Sequence, residues 1–268
     1  MFEWFTDRFR KSRKTVAVVR LQGSIASGGR GNSLNDAALA PVIEKAFRKG
    51  NPSAIALVIN SPGGSPVQSS LIAARIRRLS EEKQIPVYAF VEDVAASGGY
   101  WLATAADEIW VDESSIVGSI GVISAGFGFA DLIGRYGVER RVHTAGKSKS
   151  TLDPFRPEDP DDVERLKGLL GQIHESFISQ VRKRRGEKLS DDADIFTGAF
   201  WVGSKGVELG LADGIGHLVP KMKELYGEKV KFSVFAPKRS VFSRFGATVA
   251  EDLLTVAEER AAFARFGL

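Results

Sequence analysis

The sequence predicts an α/β domain built on a largely parallel sheet. Short apolar runs alternate with longer helical segments at spacings that suit βαβ crossovers. One strand, Ala54–Asn60, is apolar without interruption from Ala54 to Ile59, the pattern of a strand covered on both faces. Glycine and proline punctuate the joins between segments.

The elements follow in order. Thr15–Leu21 reads as a strand, and Asn35–Lys49 as an amphipathic helix with Asp36 near its start and Gly50 after its end. Ala54–Asn60 is the second strand. Pro66–Glu82 is helical, with Arg75, Arg77 and Arg78 on its wet side. Pro86–Val91 is a strand, Ser97–Ala106 a helix and Glu108–Val111 a short strand. A strand at Ser119–Ser124, a helix near Ala130–Tyr136 and a strand at Val138–His143 are expected next. A polar loop, Thr144–Asp159, precedes a long helix from Pro160 to Arg185. Its closing run Arg182–Arg185 places cations where the helix dipole favours them. Helices at Gly203–Leu209 and Leu218–Tyr226 and strands near Ala212–Gly214 and Lys229–Phe235 complete the body. Val249–Phe266 again has helical periodicity. The organisation expected is an amphipathic segment over 1–14, a body over 15–235 and a helical extension over 236–268.

Composition narrows the chemistry. With 268 residues, 43% of them hydrophobic, the chain can bury a sizeable core. It contains no cysteine, which excludes disulfides, thiolate metal sites and a cysteine nucleophile. Its three histidines, His143, His174 and His217, stand far apart without metal-ligand spacing, so no metal and no cofactor are expected. A net charge of +4 is small for this length and gives no reason to expect nucleic acid as a partner. No run approaches the length of a membrane span, and the cytoplasm is the default location. Phe2, Phe5 and Phe9 share one helical face among basic residues. That pattern fits either a membrane-surface anchor or a helix packed on protein.

Three segments can carry chemistry. Asn60-Ser61-Pro62-Gly63-Gly64 ends the buried strand. Its glycines either serve a tight strand-to-helix turn or present bare N–H groups to an oxyanion. Ala95-Ala96-Ser97-Gly98-Gly99 places one serine among small residues at the start of a helix. Ser97 is either an N-cap or an unhindered nucleophile, with Gly98 N–H as a second oxyanion donor. Gly146-Lys147-Ser148-Lys149-Ser150 puts two lysines in a polar loop, which is either solvated or the source of a general base.

Together these segments resemble peptidase family S49, the bacterial signal peptide peptidase A type. The marks are N-S-P-G-G at 60–64, A-S-G-G-Y at 96–100 and G-S-I-G-V at 118–122. Lys149 also stands five residues before Pro154, and a T-G-x-x-W-x-G stretch begins at Thr197. The resemblance covers about residues 15–235. It implies a fold of the Clp protease/crotonase type, with stacked βαβ units. It implies Ser97 as nucleophile, Lys149 as general base, Gly63 and Gly98 as oxyanion donors, and Ser119 as a hydroxyl that orients the lysine. Lys147 stays open as the alternative base. Larger members carry two repeats and this chain has one repeat's worth of residues, which implies a homo-oligomeric ring. The substrates implied are apolar peptides, such as cleaved signal peptides.

Three rival readings remain at this level. A crotonase-type acyl-CoA enzyme would share the fold but needs a carboxylate base. A Ser-His-Asp peptidase needs His143 or His174 near Ser97. A non-catalytic scaffold for peptides or membrane partners needs neither.

Overall fold

The computed structural model describes residues 14–28, 33–146, 148–237 and 260–268. Residues 1–13 of the expected segment 1–14 and most of the expected 236–268 extension, with Lys147, lie outside the described residues.

Three βαβ steps build the body. Strand β1 (Thr15–Gln22) leads to helix α1 (Asp36–Arg48), which is capped by the Asn35 side chain. Strand β2 (Ala54–Ser61) leads to α2 (Pro66–Lys83), which opens on Pro66 behind the capping Ser65. Strand β3 (Val87–Ala96) leads to α3 (Gly98–Ala103). The three strands pair in parallel, β1 on β2 and β2 on β3. Beyond them, β8 (Lys231–Phe235) adds in parallel to the free side of β1. The α/β class with a mainly parallel sheet is thus what forms.

At its far side the sheet forks. The first half of β3 pairs with β4 (Glu108–Val111) and its last residues with β5 (Ile116–Gly118). Ser115, buried at the fork, donates its hydroxyl to the carbonyl of Glu92 and accepts from the Asp112 amide. It thereby satisfies backbone groups that neither ladder can reach. The short strand β6 (Phe200–Val202) runs antiparallel to β5, and β7 (Gly214–Ile215) parallel to β4.

Alternation along the strands gives two apolar faces. One carries Ala17, Val19, Leu21, Ile55, Leu57, Ile59, Ala89 and Ala95 against α1, α2 and α3. The other carries Val16, Val18, Ala56, Val58 and Phe90 against Met222 of helix α7 (Leu218–Tyr226).

Between β5 and β6 the chain leaves the body. Helix α4 (Ala130–Arg135) buries none of its residues, and Phe127 and Tyr136 are 81% and 79% exposed. The strands expected at Ser119–Ser124 and Val138–His143 do not form. Both runs have β-type composition, but neither enters a ladder, and β propensity makes no strand without a paired partner. The return path is α5 (Pro160–Arg185), which buries residues only in its second half, namely Phe177, Ile178, Val181 and Arg185. Helix α6 (Gly203–Glu208) then follows β6.

The root of α5 is fixed by charge. Asp213 accepts from Arg185 at 2.7 Å, from Lys188 at 2.6 Å and from the Ile109 amide at 2.7 Å. Burial on its own raises this carboxyl, but the Arg185 and Lys188 bonds outweigh it and hold Asp213 below the ordinary carboxylate range. Such a group contributes stability that is complete above its unfolded-state value, about 3.9, and is lost as pH falls through the lower folded value. Acid unfolding monitored by circular dichroism should therefore have a limb below about pH 4 that Asp213→Asn flattens. At neutral pH the same variant should lose about 3–5 kcal/mol, because it strands the buried Arg185 guanidinium.

Candidate active site

Ser97 stands where β3 turns into α3, with φ 51° and ψ −122°. That is the first central position of a type II′ turn, a conformation that favours glycine and costs a serine about 1–3 kcal/mol. The neighbours hold it there. Ser97 N–H donates to Gly118 O at 2.8 Å, and Ser97 O accepts from Trp101 N–H at 3.0 Å. The N-cap alternative fails, because the Ser97 side chain makes no capping hydrogen bond. Among the described residues its hydroxyl has no hydrogen-bond partner, unlike Ser65, whose Oγ accepts from Gln68 N–H.

The turn after β2 lies directly against this elbow. A Cβ on Gly63 would meet Gly98 N at 2.7 Å, Ala96 O at 2.8 Å and Ser97 Cβ at 2.9 Å, and Gly63 has φ +100°. Gly63 is therefore glycine for two reasons, handedness and contact. Its N–H makes only a long 3.3 Å bond to Ser61 Oγ. Gly98 is the first residue of α3, so its N–H has no partner within the helix. Two weakly engaged or orphan donors thus flank the Ser97 hydroxyl.

Ser119 follows Gly118, whose carbonyl holds Ser97. It too has positive φ, 53°, and its N–H donates to Ala199 O at 2.7 Å. His174, on α5, lies with Nε2 3.0 Å from Ile120 O and fixes the next residue. His143 is exposed, and His217 pairs with Asp112 at 2.9 Å. Each histidine has a place other than beside Ser97, so the structure does not assemble a histidine triad.

Lys149 is exposed in the loop between α4 and α5. The loop around it is well tied. Arg165 donates to Ser148 Oγ at 2.7 Å, and Thr151 Oγ1 donates to Ser148 O at 2.7 Å. Asp153 accepts from the Phe155 amide at 3.0 Å and from Arg140 at 3.1 Å, and the Phe155 amide foremost holds its carboxyl below the ordinary range. Phe129 stacks on Phe155 at 5.6 Å. Among the described residues, no hydrogen bond joins Lys149 to Ser97. The structure brings Ser97, Gly63, Gly98 and Ser119 to one elbow and carries Lys149 exposed on the excursion.

These motifs share one elbow, and the profile of peptidase family S49 matches residues 80–229, more than half of the chain. The chain belongs to peptidase family S49. It is 34% identical to a protease of Synechocystis over 76% of its own length and 71% of the relative's. It is 49% identical to a Brucella melitensis protein named as the Na(+)/H(+) antiporter NhaA over 97% of this chain, which spans 38% of that protein's length. The S49 fold is also seen in a solved structure of the membrane-bound stomatin-specific protease 1510-N with a substrate peptide. That structure superposes with TM-score 0.53 at 14% identity, covering 92% of this chain and 98% of the other. The Clp protease/crotonase-like architecture follows.

Several site residues escape reading from the S49 motifs. Gly118 acts through its carbonyl, Ala199 through another carbonyl, and Arg165 and Arg140 through contacts distant in sequence. Gly118 and Ala199 at least fall inside quoted motifs, but nothing in a motif says which backbone oxygen it aims.

Gly63→Ala should cost about 2–4 kcal/mol in denaturant unfolding, because the new methyl has backbone and Ser97 Cβ in its way. Gly168→Ala, in an exposed turn of α5 with nothing within 4 Å, should instead gain about 0.5–1 kcal/mol. Equal effects at the two glycines would contradict the packing described.

Proposed function

We propose that this chain is a serine peptidase with Ser97 as nucleophile and Lys149 as general base. The observation that carries the reading is the free Ser97 hydroxyl on a strained elbow, flanked by the Gly63 and Gly98 amides. Ser97 Oγ attacks the scissile carbonyl while neutral Lys149 takes its proton. The carbonyl oxygen, now an anion, rests on the two amides. The lysinium protonates the leaving amine, and water then hydrolyses the acyl-enzyme. Ser119, next to the carbonyl that holds Ser97, orients the lysine.

The exposed position of Lys149 supports a dyad completed between protomers. A tied but solvent-facing loop, on an excursion with Phe127 and Tyr136 uncovered, suits a surface that meets a second copy. Lys149 of one protomer then meets Ser97 of the next in a closed ring. Burial there favours the uncharged amine that a general base must be.

Apolar peptides, such as cleaved signal peptides, are the proposed substrates. A relative that bears the signal peptide peptidase name supports this choice. Residues 15–235 form the peptidase unit in this reading, and residues 1–14 a peripheral contact on the cytoplasmic face of the membrane. Among the described residues no helix is long and apolar enough to cross a membrane.

Ser97→Ala and Lys149→Ala should each lower hydrolysis of an apolar peptide by at least roughly 10³-fold, since groups that act as one unit fail together. Mixing the two inactive proteins under verified subunit exchange should restore part of the activity. No recovery places the dyad within one chain. Survival of activity in Ser97→Ala removes Ser97 as nucleophile.

A further inference from the structure

Strand β3 ends in residues that face opposite ways. Ala95 joins the core under the helices, whereas Val94 and Ala96 point to the reverse face. On that face they are fully buried, and their cover comes from far along the chain. Phe266 and Phe263 pack against Val94, Ala96 and Ile116 of β5. Phe266 also meets the ring of Phe200 on β6 edge-on, with centroids 5.1 Å apart.

The covering piece is a built element. Residues 260–264 are helical. The Leu268 amide donates to Phe263 O at 3.4 Å and the Gly267 amide to Ala264 O at 3.0 Å, with Gly267 at φ 77°. That is the double bond of a Schellman stop, which needs glycine at the left-handed position. The Phe-Gly-Leu ending thus fixes the direction in which Phe266 leaves the helix.

Ala96 precedes Ser97, whose conformation survives only if its surroundings over-determine it. The Gly63 turn lies on the other side. Gly63 O accepts from Ile25 N–H, and Ile25 belongs to the helix-covered core. The aromatic pair therefore bears on the strand that leads into the elbow, on the face away from the Gly63 turn's anchor in the helix-covered core. We infer that Phe263 and Phe266 are positioning residues, which hold β3 and β5 against each other and so keep Ser97 in its attacking conformation.

This inference rests on the peptidase reading for its kinetic consequence only. The double variant Phe263→Ala/Phe266→Ala of the full chain should lose roughly 10–100-fold in kcat, as small misplacements of reacting groups do, with KM within about twofold. Phe266→Leu should retain most of the activity. A peptide of residues 260–268 added to the double variant should restore activity in part. Amide exchange at residues 94–98 should quicken in the variant and slow again with the peptide. That readout holds whether or not the chain is a peptidase, so failure of docking and failure of the catalytic reading are told apart. Higher activity in the variant, or inhibition by the peptide, would make the segment a plug on the substrate side and overturn the inference. Unchanged kcat and exchange would overturn it as well. So would a loss of kcat in both Phe266→Leu and the double variant that follows thermal stability alone.

Discussion

The constraint on which the rest depends is the backbone of Ser97. A serine at φ 51° and ψ −122° relaxes unless it is held from several directions. The holders come from separate parts of the chain. They are Gly118 O from β5, the Gly63 turn from β2 and the first turn of α3. Each is a backbone group delivered by the parallel sheet. The fork of β3 between β4 and β5 is what allows Gly118 to approach Ser97 while the first half of β3 remains paired elsewhere.

A parallel sheet suits this task. Its strands all end on one edge, so the turns after β2 and β3 open side by side, and a helix begins at each. Glycine is used where those turns touch. Gly63 meets Ser97, and a Cβ on Gly99 would run into Ser61 O at 2.3 Å. Close packing of the two turns sets Gly63 directly against Ser97. The excursion is then free to carry other business. Its root is joined to α3 by the Trp101–Phe177 stack at 4.8 Å and by Arg184 on Thr104 O at 2.9 Å, while the first half of α5 buries none of its residues.

Legibility in the sequence varied with the range of the interaction. Helix α5 reads directly as Pro160–Arg185, because its proline start, acidic first turn and basic last turn are local signals. Helix α7 and the first two strands are equally local. The expected strands at Ser119–Ser124 and Val138–His143 fail for the opposite reason. A strand exists only where a partner edge is available, and no residue within either run carries that information. The short β6 was invisible because three residues have no period to detect. At the site, Ser97, Gly63, Gly98 and Ser119 are marked by motifs, whereas the bonds that aim them are made by backbone oxygens that every residue type possesses.

The sequence by itself determined the α/β class, through its hydrophobic periods, and the family, through the N-S-P-G-G, A-S-G-G-Y and G-S-I-G-V motifs by which it resembles peptidase family S49. The tertiary structure decided three things. It left Ser97 without a capping bond, it put Lys149 on a tied and exposed loop, and it laid Phe266 on the strand that leads into the elbow. All three depend on contacts between residues far apart in the chain, and the geometry of such contacts is settled by how strands pair and which faces they bury, not by the composition of any one segment.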